Sequence, residues 1–234
     1  MPARAVLFDI DDTLLDHSGI QQRLAKLVML RHAAFAAADS GALAALSTRL
    51  LDELWPRVLA GEMTLHDART ERYRRLLQAF GDDDDDAEAL ARWHAQAYID
   101  AETLVPGALA LVQAARARGL KLAIVSNNTR AEQQRKLDRH GLAPHFEALV
   151  VAGDHGIAKP DPRLFQIALE ALAVDAAEAV MIGDSWPLDI VGARAAGIRA
   201  VWFNRFRATP DDPAPVAQLP HFDDIDAALA TIVG

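Results

Sequence analysis

Ala5-Val6-Leu7-Phe8-Asp9-Ile10-Asp11-Asp12-Thr13-Leu14 opens the chain with a short apolar run that ends in three carboxylates within four residues. Asp9 and Asp11 are two positions apart, so where strand geometry continues past Phe8 their side chains leave the same face. Carboxylates held that close repel each other and favour a bound cation or a shared proton. A hard divalent ion such as Mg2+ takes oxygen ligands of this kind. The same residues also suit a simpler role, with Asp11, Asp12 and Thr13 forming a turn or capping a helix.

Working outward, the apolar run Ala5 to Phe8 has four counterparts: Leu120 to Val125, Ala148 to Ala152, Ala179 to Ile182 and Ala200 to Phe203. Their apolarity is continuous rather than alternating, as expected of strands buried on both faces of a parallel sheet. Helical patterns with clear stops lie between them. Pro106 to Arg118 stops at Gly119, Thr129 to His140 stops at Gly141, and Asp161-Pro162 caps a helix running to Leu172. Ser185 and Pro187 open a further helix that Gly197 closes, and Asp224 to Val233 reads as the last one. This alternation predicts βαβ units with right-handed crossovers. Thr209 to Pro220 carries four prolines and reads as an irregular surface loop.

One interval breaks the alternation. Between Leu15 and Val105 the patterns are helical and rich in Ala and Leu, with one helix around Leu24, Leu27 and Val28 and another around Leu46, Leu50 and Leu54. Leu65 to Phe80 and Ala87 to Asp100 supply two more. The division expected is a catalytic core of residues 1–15 and 104–234 with a helical cap domain of residues 16–103, placed above the C-terminal end of the first strand. The acidic run Asp82 to Asp86 reads as a solvated loop within the cap.

The 234 residues are 51% hydrophobic and suffice for a sizeable core. The absence of cysteine excludes disulfides, thiolate metal sites and a cysteine nucleophile. A formal charge of -9 argues against non-specific binding to nucleic acid or to an anionic membrane. The N-terminus shows no secretory or transit pattern, and no apolar run is long enough to span a bilayer, so a cytoplasmic protein, monomeric or homodimeric, is expected.

Ligands of open α/β sheets bind outside the carboxyl ends of the strands. Those ends carry Asp9, Asp11 and Thr13, then Ser126, Asn127 and Asn128, then Lys159, then Gly183-Asp184 with Asp189 five residues beyond. Each has an ordinary explanation as a cap, a turn or a surface residue; their coincidence at one sheet edge points to phosphoryl transfer. Asp9 suits the nucleophile, with Mg2+ between Asp9 and Asp184, and with Ser126 and Lys159 on the phosphoryl oxygens. Asp11 suits the general acid and base.

The four clusters, in this order, resemble the motifs of the haloacid dehalogenase superfamily, in its phosphatase branch. Asp9-Ile10-Asp11-Asp12-Thr13 is similar to the first motif, Ser126 to the second, Lys159 before Pro160 to the third, and Gly183-Asp184 with Asp189 to the fourth. The resemblance implies a Rossmann-like doubly wound parallel sheet with an inserted all-helical cap. It also implies phosphate binding by Ser126, Asn127 and Lys159, and Mg2+ held by Asp9, the Asp11 carbonyl and Asp184, with Asp189 in or just behind that shell. The expected partner is a small phosphorylated metabolite of the nucleotide or sugar-phosphate type. Dehalogenases of the superfamily lack the second aspartate of the first motif, so Asp11 favours phosphate esters. A phosphomutase would keep it, and a non-catalytic binding module of the same fold is the remaining alternative. Asn128 departs from the glycine of many relatives. His17 and Arg72 are the candidates for substrate contact from the cap, and Asp12 has no assigned role and is expected to face away from the site.

Overall fold

The structure is a computed structural model that describes residues 3–82, 86–210 and 215–234. Residues 83–85, the middle of the acidic run, lie outside the described residues, as do residues 211–214 of the proline-rich stretch. The chain divides into two compact units, Met1–Leu15 with Leu104–Gly234, and Asp16–Thr103.

The first unit is built on a wholly parallel sheet in the order β3-β2-β1-β4-β5-β6. Its strands are β1 (Ala5–Phe8), β2 (Lys121–Ser126), β3 (Ala148–Val151), β4 (Ala179–Gly183), β5 (Arg199–Phe203) and β6 (Ala217–Leu219). The opening run is the central strand, with Phe8 opposite Ile124 on one side and Ile182 on the other. Because β1 is followed in space by β2 on one side and β4 on the other, the strand order reverses between β1 and β4. A crevice forms at such a reversal.

The second unit consists, among the described residues, of α1 (His17–Arg31), α2 (Ser40–Leu59), α3 (Leu65–Ala79) and α4 (Ala87–Ala101), with a short 3-10 turn at Ala33–Phe35. Val28, Phe35, Leu43, Tyr73, Leu76 and Leu90 pack in its interior. Thr64 starts α3 with a capping box, its hydroxyl accepting from Asp67 N–H while Asp67 accepts from Thr64 N–H.

Helices α5 (Ala108–Ala117), α6 (Arg130–Arg139), α7 (Ala152–His155), α8 (Pro162–Leu172), α9 (Val191–Ala195) and α10 (Ile225–Val233) complete the first unit. Alternate residues of β1 face opposite layers. Val6 and Phe8 pack with Leu111 of α5, Leu137 of α6 and Leu229 of α10, whereas Ala5 and Leu7 pack with Phe165 and Leu169 of α8 and Ala193 of α9. With both faces covered, uninterrupted apolarity in the strands follows. Among the described residues no helix is long and apolar enough to cross a membrane.

Two local expectations change. The stretch Thr209 to Pro220 holds β6, a three-residue edge strand paired with β5, where the prolines fall outside the ladder. The helix expected from Ser185 to Gly197 begins instead as a π-helical turn, Trp186–Ile190, and only its end is α9. Ser185 carbonyl accepts from both Asp189 N–H at 2.8 Å and Ile190 N–H at 3.3 Å, and this wide turn returns the Asp189 side chain toward β4.

Candidate active site

Asp9 extends β1 by one residue, its N–H donating to Ile182 carbonyl at 2.9 Å, so it emerges at the reversal point beside β4. The chain then turns at once. Leu14 and Leu15 N–H both donate to Ile10 carbonyl, at 2.8 and 2.9 Å, and Asp12 takes a left-handed φ of 63° that aspartate tolerates better than most residues. Asp12, expected to face away, is buried and lies 3.8 Å from Arg205. The turn, not solvent, decides its direction.

Lys159 is the centre of a buried charge cluster. Its ammonium donates to Asp9 Oδ1 at 2.6 Å and to Asp189 Oδ1 at 2.7 Å. Asp189 is sealed from solvent and also accepts from Ser185 N–H at 3.0 Å. Carboxylate oxygens of Asp9, Asp184 and Asp189 lie within 4.8 Å of one another. Gly183 is required here, since a Cβ on it would stand 2.2 Å from Asp189 Cγ. Burial pushes the Asp9 carboxyl up to about 7, against the pull of Lys159. Asp184 is pushed up to about 9 by burial and then by its neighbours Asp9, Asp189 and Asp12. Burial opposes the charge on Lys159, but Asp189 and Asp9 outweigh it and hold the lysine firmly protonated.

Asp11 is held by a different set of groups. Lys136 Nζ donates to its Oδ1 at 2.5 Å, and Gln133 Nε2 to its Oδ2 at 2.9 Å. The same Gln133 amide donates to Ser126 Oγ at 2.7 Å. Asn128 Nδ2 lies 3.5 Å from Asp11 Oδ2, while its Oδ1 accepts from Thr129 N–H at the start of α6. Asn127, expected on phosphate, uses its side chain to hold the next loop. Its amide donates to Lys159 carbonyl at 2.9 Å and accepts from Lys159 N–H at 2.6 Å. Asn127 thereby fixes the backbone that carries the central lysine.

His17 and Arg72 belong to the helical unit. His17 Nδ1 is 2.7 Å from Tyr98 Oη. Arg72 is buried, and its Nη2 donates to His94 Nδ1 at 3.2 Å. Burial, and then the Arg72 charge, holds His94 well below the ordinary histidine value, so it stays neutral and accepts.

Comparison with known proteins decides the family. The haloacid dehalogenase-like hydrolases match residues 3–197, a span that takes in β1, Lys159 and Asp184 together. The chain belongs to this family. Among relatives of this haloacid dehalogenase-like hydrolase is the phosphoserine phosphatase of Thermus thermophilus, 35% identical over 233 residues, 90% of this chain and 92% of that one. A solved structure of the HAD hydrolase YfnB from Bacillus subtilis, bound to magnesium, covers 98% of this chain and 100% of its own with a TM-score of 0.76 and 25% identity. A 2-haloacid dehalogenase from Pseudomonas syringae pv. Tomato is also similar, with a TM-score of 0.65 and 28% identity over 97% of this chain and 98% of that one.

The donor set of this hydrolase fits Mg2+. Asp9, Asp184 and Asp189 offer only oxygen, and the three carboxyl groups outnumber the one ammonium that donates among them. Two residues that touch Asp11 escaped the sequence reading. Gln133 and Lys136 sit in a helix dominated by charge, yet they share its inner stripe with Leu137, and all three are buried. The spacing i, i+3, i+4 was the available signal.

Proposed function

We propose that this hydrolase cleaves small phosphomonoesters, of the nucleotide or sugar-phosphate type, with Asp9 as nucleophile and Asp11 as general acid and base. The observation that carries this reading is the separation of the two carboxylates. Asp9 is gripped by Lys159 in the buried cluster, while Asp11, two residues on, is held by Lys136 and Gln133. Two like groups in unlike surroundings suit two different chemical tasks. The phosphatase name of the Thermus relative supports the same reaction class.

Lys159 engages Oδ1 of Asp9, and Oδ2 attacks phosphorus. A P–O bond to Asp9 forms as the ester P–O bond breaks, and the departing oxygen takes a proton from Asp11. Water then attacks the aspartyl-phosphate; Asp11 takes up its proton, the bond to Asp9 breaks, and phosphate leaves. Ser126 hydroxyl and the Lys159 ammonium hold phosphoryl oxygens through this cycle. Mg2+, held by Asp9, the Asp11 carbonyl and Asp184 with Asp189 beside them, would supply positive charge that offsets the repulsion between nucleophile and phosphate.

Phosphate release from p-nitrophenyl phosphate in Mg2+ tests the proposal. Release that Asp9→Asn abolishes is the expected result; no release from p-nitrophenyl phosphate, nucleotides or sugar phosphates would overturn it.

A further inference from the structure

We infer that Gln133 and Lys136 of α6 are positioning residues that fix the Asp11 carboxylate for proton transfer, an inference that rests on the phosphatase reading above. The Asp11 side chain is a quarter exposed, at 25%, and a carboxylate at a turn is free to rotate unless something holds it. Here each of its oxygens has its own donor, Lys136 Nζ on Oδ1 and Gln133 Nε2 on Oδ2. Two donors one helical turn apart define both the position and the plane of the group. Proton transfer is steeply sensitive to that placement.

Packing alone would not select these side chains. Gln133 is fully buried and Lys136 nearly so, at an inner stripe where Leu137 shows what the core accepts. Gln133 Oε1 has no hydrogen-bond partner among the described residues, a cost of about 1–3 kcal/mol that an apolar residue would avoid. What the amide provides in return is a bridge. Its two N–H groups go to Asp11 Oδ2 and to Ser126 Oγ, 2.9 and 2.7 Å away. Ser126 oxygen therefore accepts, which leaves its own proton to donate to an incoming phosphoryl oxygen. One buried amide thus sets the spacing between the proton carrier and a phosphate contact.

The test compares kcat/KM of the full chain in Mg2+ on phenyl phosphate, whose leaving group needs a proton, and p-nitrophenyl phosphate, whose leaving group needs it far less. Lys136→Met and Gln133→Leu are each expected to lower kcat/KM on phenyl phosphate by about 100-fold, within the range for general acid catalysis, and on p-nitrophenyl phosphate by less than about 10-fold. Lys136→Arg should recover at least about 10-fold on phenyl phosphate, because it restores a donor to Oδ1. An equal loss on both esters would assign the residues to phosphate binding and overturn the inference. So would no loss in either variant, or failure of both to unfold cooperatively, which would mark a structural role. Gln133→Leu, uncharged and close in volume, decides the matter if Lys136→Met does not fold. A wild-type chain inactive on both esters and on nucleotides and sugar phosphates would instead sink the phosphatase reading itself.

Discussion

Lys159 and Asp189 meet at 2.7 Å with side-chain exposures of 3% and 1%, an ion pair cut off from water at the floor of the candidate site. The same ammonium holds Asp9 at 2.6 Å, so a single positive charge organises two carboxylates from different strand ends.

Lys159→Met should therefore be severe. Without Mg2+, the variant leaves Asp9, Asp184 and Asp189 facing one another with no cation, and a loss of about 3–5 kcal/mol is expected, as for other buried pairs deprived of one partner. Urea unfolding at pH 7.5 with a chelator measures it. A loss below 1 kcal/mol would mean that water reaches the cluster.

Gly183→Ala should act through Asp189. The added Cβ falls 2.2 Å from Asp189 Cγ, and Asp189 is pinned by Lys159 and Ser185 N–H. Overpacking of about 1–3 kcal/mol is expected, together with at least a 10-fold fall in kcat/KM on p-nitrophenyl phosphate. Unchanged kinetics would show that Asp189 can move without consequence.

Mg2+ should stabilise the chain. Binding to the folded state alone contributes about 2.7 kcal/mol at a concentration 100 times Kd, visible as a rise in Tm. Asp184→Ala removes a carboxylate from the trio and should abolish that rise. A full Mg2+-dependent shift in the variant would place the ion elsewhere.

The helical unit should be sensitive to acid. His94 is held well below 6.5 by burial and the Arg72 charge, so between that ordinary value and its folded value the unfolded chain binds one more proton than the folded chain. Stability then rises with pH in that window and falls as pH drops below about 6.5, by at most about 1.4 kcal/mol per pH unit. Hydrogen exchange of α3 and α4 at pH 7.5 and 5.5 reads the effect. His94→Gln, which keeps an acceptor for Arg72, should flatten it; an unchanged slope would assign the acid response to other groups.

Arg72 offers a test in the opposite direction. Its guanidinium is buried, its Nε has no hydrogen-bond partner, and no carboxylate pairs with it among the described residues. Arg72→Met is expected to raise stability by about 1–3 kcal/mol in urea unfolding. A decrease would show that the bond to His94 Nδ1 and the contact with the Tyr73 ring outweigh the cost of burying the charge.

What was legible in the sequence follows from burial. Strands β1 to β5 announce themselves because a parallel strand covered on both faces is apolar through its middle, with polar residues only at its ends. Strand β6 does not, since Ala217-Gln218-Leu219 is short, has β5 as its sheet partner and lies between prolines. Asp9, Lys159, Asp184 and Asp189 stand out by spacing at the strand ends, and the structure gathers them around one ammonium. Gln133 and Lys136 were obscured because polar residues in charged helices usually face water; only the packing of α6 turns them inward. The burial of Asp12 beside Arg205 was not legible either, since its direction depends on its own left-handed φ in the turn after β1.

Both neighbours of β1 come late in the chain: Ala5 sits opposite Lys121 and Ala179, each beyond the whole helical insertion. During synthesis the four helices from His17 to Ala101 are complete before either neighbour exists. Their contacts are mostly between successive helices, and such local contacts form first, whereas a parallel sheet with distant partners forms slowly. Until Lys121–Ser126 has emerged, Ala5–Phe8 is an apolar segment with no edge to join. Asp9 is made well before the two strands that flank it.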